Sequence, residues 1–272
     1  MVVDTLTIGE WISRANVAAE RLSYGEADVR WICEEILRLT PALLRLDRNR
    51  PLTPDEQSRL DAALEKRLNG MPVQYIFSRA PFMGFTFYVD EDVLIPRMDT
   101  EVLCEESLRF LRTLPAPEML DLCAGSGCVG LSLKRLCPKA RVTLSDISPG
   151  ASRVQKINAK KDDAEILTGD LFATVDGRRF DLIACNPPYI ETSELDLLDE
   201  EVKKEPALAL DGGADGLAIY RRLAKEYRDH LYPGGRLYME IGYNQSESVG
   251  NLFPGSRLIR DMNGLPRVIC AK

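Results

Sequence analysis

Histidine is nearly absent: His230 is the only one in 272 residues. That argues against a Ser/His/Asp hydrolase and against a histidine-rich metal centre. Cysteine is present seven times, but no two residues form a C-x-x-C pair and the number is odd. The cysteines sit in apolar contexts and read as reduced, buried thiols, with no disulfide framework and no metal site. No apolar run reaches the ~18 residues of a membrane span, and Met1-Val2-Val3-Asp4 begins no basic-then-apolar leader. A cytoplasmic protein that makes no membrane contact is therefore expected. Positive charge is not in excess either: 35 Lys and Arg against 42 Asp and Glu leave −7, so there is no global basic field to hold a nucleic-acid backbone. His230 itself precedes Leu231-Tyr232-Pro233-Gly234-Gly235, a helix-end signal, where a capping or surface position is expected.

A hydrophobic content of 45% is enough for a full core. From Thr7 to about Gly70 the apolar residues recur at helical spacing, and Thr53-Pro54-Asp55-Glu56 is a good helix start, which predicts a small helical bundle over residues 1–70. The pattern then changes. Val73-Gln74-Tyr75-Ile76 and Phe82-Met83-Gly84-Phe85-Thr86-Phe87-Tyr88-Val89 are aromatic and β-branched, and they predict a linking β-hairpin over residues 71–96. A helix from about Asp99 to Leu114 opens the third segment, residues 97–272. Strands are expected at Glu118–Leu122, Arg141–Asp146, Glu165–Thr168, Phe180–Cys185, Gly235–Ile241, Arg257–Arg260 and Arg267–Ala271, most of them followed by a helix. This order fits an α/β, doubly wound, Rossmann-like sheet with an antiparallel C-terminal hairpin.

Polar groups end four successive strands. After the first comes Cys123-Ala124-Gly125-Ser126-Gly127, with Gly130 beyond it. Its glycines let the backbone approach a ligand at a helix start, and the loop suits NAD or S-adenosylmethionine equally. Asp146 ends the second strand, with Ile147 beside it, where a carboxylate can accept from both ribose hydroxyls of an adenosine. Asp170 ends the third and can receive an exocyclic amine, while Leu171 packs on the ring. Asn186-Pro187-Pro188-Tyr189 ends the fourth. Proline lacks an N–H and holds its predecessor extended, so the Asn186 side-chain oxygen and the neighbouring backbone oxygen can accept both hydrogens of one –NH2 group. Tyr189 can pack on that planar target.

With these groups in this order, residues 97–272 resemble a class I S-adenosylmethionine-dependent methyltransferase that alkylates planar nitrogens. The flanks narrow the resemblance. Pro72-Val73-Gln74-Tyr75-Ile76, Phe82-Met83-Gly84, Val93-Leu94-Ile95-Pro96-Arg97, Asp99-Thr100-Glu101, Glu205 through Gly213 and Glu240-Ile241-Gly242-Tyr243-Asn244-Gln245 together look like the HemK-type release factor glutamine-N5 methyltransferases, over nearly the whole chain. That resemblance implies that Cys123, Ala124, Gly125, Ser126, Gly127, Asp146, Ile147, Asp170, Leu171 and Asn186 bind S-adenosylmethionine. It implies that Asn186, Pro187, Pro188 and Tyr189 hold the substrate glutamine as the catalytic motif, and that Phe82 lines the glutamine slot. It also implies a protein partner, a peptide-chain release factor, met by residues 1–70 of a monomeric enzyme without direct nucleic-acid contact. Met98, Ala124 and Ser78 stand where the family commonly has proline, threonine and glycine. Methylation of a ribosomal-protein glutamine, adenine-N6 methylation and non-catalytic binding of an adenosine cofactor are the alternative readings.

Overall fold

The computed structural model describes residues 5–272. Its contacts group into two units: residues 5–78 with the returning segment Glu200–Lys204, and Arg79–Asp199 with Glu205–Lys272.

In the first unit, α1 (Ile8–Ala18), α2 (Gly25–Leu37), α3 (Pro41–Leu46) and α4 (Pro54–Leu68) pack around Trp11, Ile32, Leu44 and Leu60. Both α1 and α4 open with reciprocal capping boxes, Thr7 with Glu10 and Thr53 with Glu56, each satisfying two otherwise orphaned N–H groups. Arg67 is buried. Its Nε donates to Asp28 Oδ2 at 2.6 Å, and a second guanidinium nitrogen pairs with Glu201. Val73–Ile76, expected as a strand, is instead the short helix α5. Val73 joins the helical core with Ile76 and Phe77 packed beside it, so tertiary burial outweighs β propensity here. Ser78, where the resemblance has glycine, takes a left-handed φ of 52°.

The hairpin is therefore shorter than expected: β1 (Ala80–Phe82) pairs antiparallel with β2 (Phe85–Phe87). Met83 and Gly84 both have positive φ, 50° and 77°, as a tight two-residue hairpin turn requires. A single 3-10 turn, Met98–Thr100, leads into α6 (Glu101–Leu111). There follow β3 (Glu118–Leu122), α7 (Cys128–Leu136), β4 (Arg141–Asp146), α8 (Pro149–Asn158), β5 (Ala164–Thr168), β6 (Phe180–Cys185), α9 (Ala218–Glu226), β7 (Leu231–Glu240), α10 (Ser246–Leu252), β8 (Arg257–Arg260) and β9 (Pro266–Ala271).

These strands form one sheet in the order β5-β4-β3-β6-β7-β9-β8, parallel through β7 and antiparallel at β9 and β8. The doubly wound expectation is borne out. Alternate residues of the central strands feed two cores: Met119, Leu182 and Ala184 face α6 and α7, while Leu120, Ile183 and Cys185 face α9 and α10. Burial on both faces explains why these strands read as apolar runs. β7 begins earlier than expected, because Leu231 pairs with Phe180 before a register irregularity leads to the Arg236–Leu182 pair.

His230 is not at the surface. It is buried, its ring stacked on Phe172 at 4.5 Å between centroids, with Nδ1 3.0 Å from the Arg178 carbonyl oxygen. The seven cysteines are free and, apart from the partly exposed Cys123, buried. Among the described residues no helix is long and apolar enough to cross a membrane, and no cluster of side chains could hold a metal ion.

Candidate active site

Chain order makes β3 the switch point of this sheet. From it the chain moves outward through β4 to β5, then returns to lay β6 on the other side of β3. Loops leaving β3 and β6 therefore diverge, and a crevice opens beyond their carboxyl ends. In register, Leu122 lies opposite both Ser145 and Cys185, and Asp146 lies opposite Thr168, so the four strand ends finish level.

A cavity of about 270 Å³ lies there, lined among others by Cys123, Gly125, Asp146, Leu171, Asn186 and Thr100. Ala124, Ser126, Ile147, Asp170 and Pro188 also reach it. Gly127, Pro187 and Tyr189 are not in this lining but adjoin in sequence residues that form it. The structure does not bring Phe82 to the cavity: its ring is buried in the core below the sheet, edge-on to Phe87 at 6.3 Å, because an apolar side chain alternating inward on a short strand is consumed by packing.

The acidic groups differ in their surroundings. Asp146 Oδ2 accepts from the Gly125 N–H at 2.8 Å and Oδ1 from the Ser148 N–H at 2.9 Å, so the carboxylate orders the glycine loop. Burial raises its pKa, and those backbone donors oppose the shift. Each oxygen keeps a further lone pair for a ligand. Asp170 is exposed, and its Oδ2 takes a guanidinium N–H of Arg222 at 2.7 Å. Arg222 also lines the cavity. Asp121 is deeper, with burial raising its carboxyl pKa to about 7 against the opposing Gly130 N–H.

Around Asn186 lie groups whose roles sequence reasoning missed. The Asn186 Nδ2 donates to Thr100 Oγ1 at 3.2 Å, which leaves Oδ1 as the free acceptor of the amide. Tyr189 OH lies 3.5 Å from Glu240 Oε1, and the Tyr189 carbonyl accepts from Gln245 Nε2 at 3.0 Å. Burial and the nearby Glu240 hold the Tyr189 phenol protonated. The motif continues into a clasp, with Ile190 N–H donating to the Leu210 carbonyl and Gly212 N–H to the Ile190 carbonyl at 3.0 and 2.8 Å. Gly216, at φ 68°, approaches so closely that a Cβ would lie 2.4 Å from the Tyr189 carbonyl oxygen, which only glycine permits. Glu205 is buried, accepting from the Ile95 N–H at 2.9 Å and pairing with Arg97 on the cavity wall. The available signal was that Thr100, Glu205, Glu240 and Gln245 all lie in flanks already singled out, though without a role.

Comparison with known proteins gives a consistent set of relatives. Residues 105–213 match the model of the methyltransferase small domain, and residues 11–77 that of the PrmC N-terminal domain. The release factor glutamine methyltransferase of Geobacter sulfurreducens is 37% identical over 96% of this chain and 93% of its own length. That of Moorella thermoacetica is 38% identical over 95% and 92%. Among solved structures, a release factor-specific protein-(glutamine-N5) methyltransferase from Alicyclobacillus acidocaldarius is 32% identical, covering 68% of this chain and 97% of its own, with a TM-score of 0.44. A methyltransferase from Pyrococcus furiosus, 15% identical with a TM-score of 0.50 over 80% of this chain and 98% of its own, shares the fold.

Proposed function

The chain belongs to the release factor glutamine methyltransferase family, and from that premise we propose that it methylates the side-chain nitrogen N5 of a glutamine in a peptide-chain release factor, using S-adenosylmethionine. The observation that carries the reading is the orientation of Asn186: its –NH2 is committed to Thr100, so an acceptor oxygen remains for the –NH2 of a substrate amide.

The cavity residues fit the cofactor. Gly125, at φ 51°, has open space where a side chain would begin, so a ligand can lie against its backbone. Asp146 keeps acceptor capacity for the ribose hydroxyls, and Asp170 Oδ1 for the adenine amine. Ile147 and Leu208 are large apolar residues left exposed on the cavity wall, and with Leu171 they would cover the flat ring. When bound, S-adenosylmethionine supplies a methyl group already activated by its sulfonium centre.

What remains for the protein is placement. An amide nitrogen is a poor nucleophile because its lone pair is delocalised into the carbonyl. Hydrogen bonds to Asn186 Oδ1 and the Pro187 carbonyl would hold both N–H groups, aim the nitrogen and favour its pyramidal form. Such positioning can account for roughly 7–11 kcal/mol of barrier, against the 10²–10⁴-fold typical of a general base. No dedicated base is assigned. A net charge of −7 supports a protein substrate over a nucleic acid, and seven free cysteines, mostly buried, support a reducing compartment such as the cytoplasm.

One side chain offers few contacts, so selecting it among all cellular glutamines calls for a larger surface, and the helical unit supports that recognition role for a monomeric enzyme. Incubation with labelled S-adenosylmethionine and either a release factor, a ribosomal protein or an adenine-containing oligonucleotide tests the reading. Label on a release-factor glutamine, located by mass spectrometry, is the expected result. Label on the ribosomal protein or the oligonucleotide alone would reassign the substrate. Removing residues 1–70 should lower turnover on the whole release factor far more than on a short glutamine peptide, and equal losses would reduce the helical unit to a stabilising role.

A further inference from the structure

Which way an asparagine amide faces is a choice between two flips of nearly identical shape. Only one of them presents an acceptor to a substrate –NH2 group. In this structure the partner that selects the flip is Thr100, the last residue of the 3-10 turn before α6, nearly fully buried and at the cavity wall. A hydroxyl has one hydrogen to give. For Thr100 Oγ1 to accept from Asn186 Nδ2 at 3.2 Å, its own hydrogen must point elsewhere.

Glu240, at the end of β7, is 2% exposed, and its carboxyl is close enough to the Thr100 hydroxyl for that hydroxyl to influence its charge. Its Oε1 faces the Tyr189 hydroxyl at 3.5 Å, and its Oε2 has no hydrogen-bond partner among the described residues. The backbone there is held independently, because the Tyr220 hydroxyl donates to the Glu240 carbonyl at 2.8 Å.

We infer that Thr100 and Glu240 are positioning residues for methyl transfer: the Glu240 carboxylate takes the Thr100 hydroxyl hydrogen, Thr100 takes the Asn186 N–H, and the free Asn186 oxygen is thereby aimed at the substrate amide. This rests on the proposed glutamine reaction. It adds a polarity to the site, since an acceptor-only carboxylate at one end dictates an acceptor at the other. A protonated Glu240 could donate to Thr100 instead, and the Thr100 hydroxyl would then favour the opposite flip of Asn186.

The charge state of Glu240 is finely set. Burial raises its pKa to about 7, the neighbouring Thr100 hydroxyl opposes this, Asp99 adds to it, and Arg267 and Tyr189 again oppose it. Cys104 of α6, Cys128 of α7 and Tyr220 of α9 also face it, all protonated in this environment. Deprotonation of Glu240 as pH rises through about 7 strengthens the productive polarity.

The test compares Thr100→Val, Thr100→Ser and Glu240→Gln with wild type on a release factor, with circular dichroism to check folding. Thr100→Val keeps the shape without the hydroxyl and should lower kcat roughly 10- to 100-fold, the scale of a hydrogen bond in a charged network. Its dissociation constant for S-adenosylmethionine should stay within about threefold of wild type, and Thr100→Ser should recover most of the rate. Wild-type kcat/KM should rise with pH through a step near 7, which Glu240→Gln should abolish. An undiminished kcat in Thr100→Val, a serine variant as slow as the valine variant, or a retained step in Glu240→Gln would overturn the inference. If Thr100→Val fails to fold, the serine variant and the Glu240→Gln pH profile decide. Wild-type turnover on the release factor is the control: its absence overturns the substrate assignment, not the role of Thr100.

Discussion

The Gly130 N–H donates to Asp121 Oδ2 at 2.8 Å, tying the first turn of α7 to the strand that precedes it. A helix start leaves N–H groups without partners, and here a buried carboxylate supplies one. The contact is possible because Gly130 has no side chain. A Cβ there would lie 2.3 Å from Leu144 Cδ2 and 3.0 Å from Asp121 Oδ2.

Gly130→Ala should therefore push α7 off the sheet and destabilise the protein by about 1–3 kcal/mol, the usual penalty of overpacking a core. Urea unfolding would show this as a lower midpoint at unchanged slope. A midpoint equal to wild type would mean that Leu144 yields without penalty.

Asp121 carries a pH dependence of definite sign. Its pKa in the folded protein is raised to about 7 by burial, well above the ordinary carboxylate range. The unfolded chain thus loses its proton at lower pH than the folded one, so the group's stabilising contribution is fully present below about pH 4 and is lost as pH rises through about 7. Replacing it with asparagine removes that loss. The Tm of Asp121→Asn relative to wild type should rise between about pH 5 and pH 8, and a constant difference would show that Asp121 titrates normally.

Asn186→Ala should abolish methyl transfer while leaving the fold intact, because the side chain at the end of β6 faces a cavity. Asn186→Asp should also fail: it keeps an oxygen but loses the N–H given to Thr100 and brings a second carboxylate toward the buried Glu240. Near-wild-type turnover in either variant would remove Asn186 from the chemistry.

Asp146→Ala should weaken S-adenosylmethionine binding by roughly 1.5–3 kcal/mol, the scale of hydrogen bonds to a charged group. Part of the loss should come from the Gly125 N–H, which then has no acceptor to order the glycine loop. Titration calorimetry would measure it, and an unaltered dissociation constant would leave Asp146 as a loop and helix cap only.

Local patterns carried most of the sheet into view from sequence alone. Glu118–Leu122, Arg141–Asp146 and Phe180–Cys185 were legible to the residue because parallel strands buried on both faces are apolar runs between turn residues. The series of polar strand ends was legible for the same reason, since each group follows a strand at a fixed position. The capping box at Thr53 and Glu56 is likewise a purely local device.

Tertiary structure decided whatever depended on partners distant in the chain. Val73–Ile76 has β-rich composition but becomes helical where Val73 enters the helical core, and Phe82 is an aromatic residue in a suggestive flank whose ring is claimed by Phe87 and the core. His230 followed its helix-end signal, yet Phe172 buried it. The Asn-Pro-Pro-Tyr run declared that an amide ends β6. It could not declare which way that amide faces, because the atom that selects the flip belongs to Thr100, 86 residues earlier, and the acceptor beside Thr100 belongs to Glu240, on a strand that comes later in the chain. Hydrogen bonds depend on separation in space, and at such distances along the chain only the fold brings the three groups together.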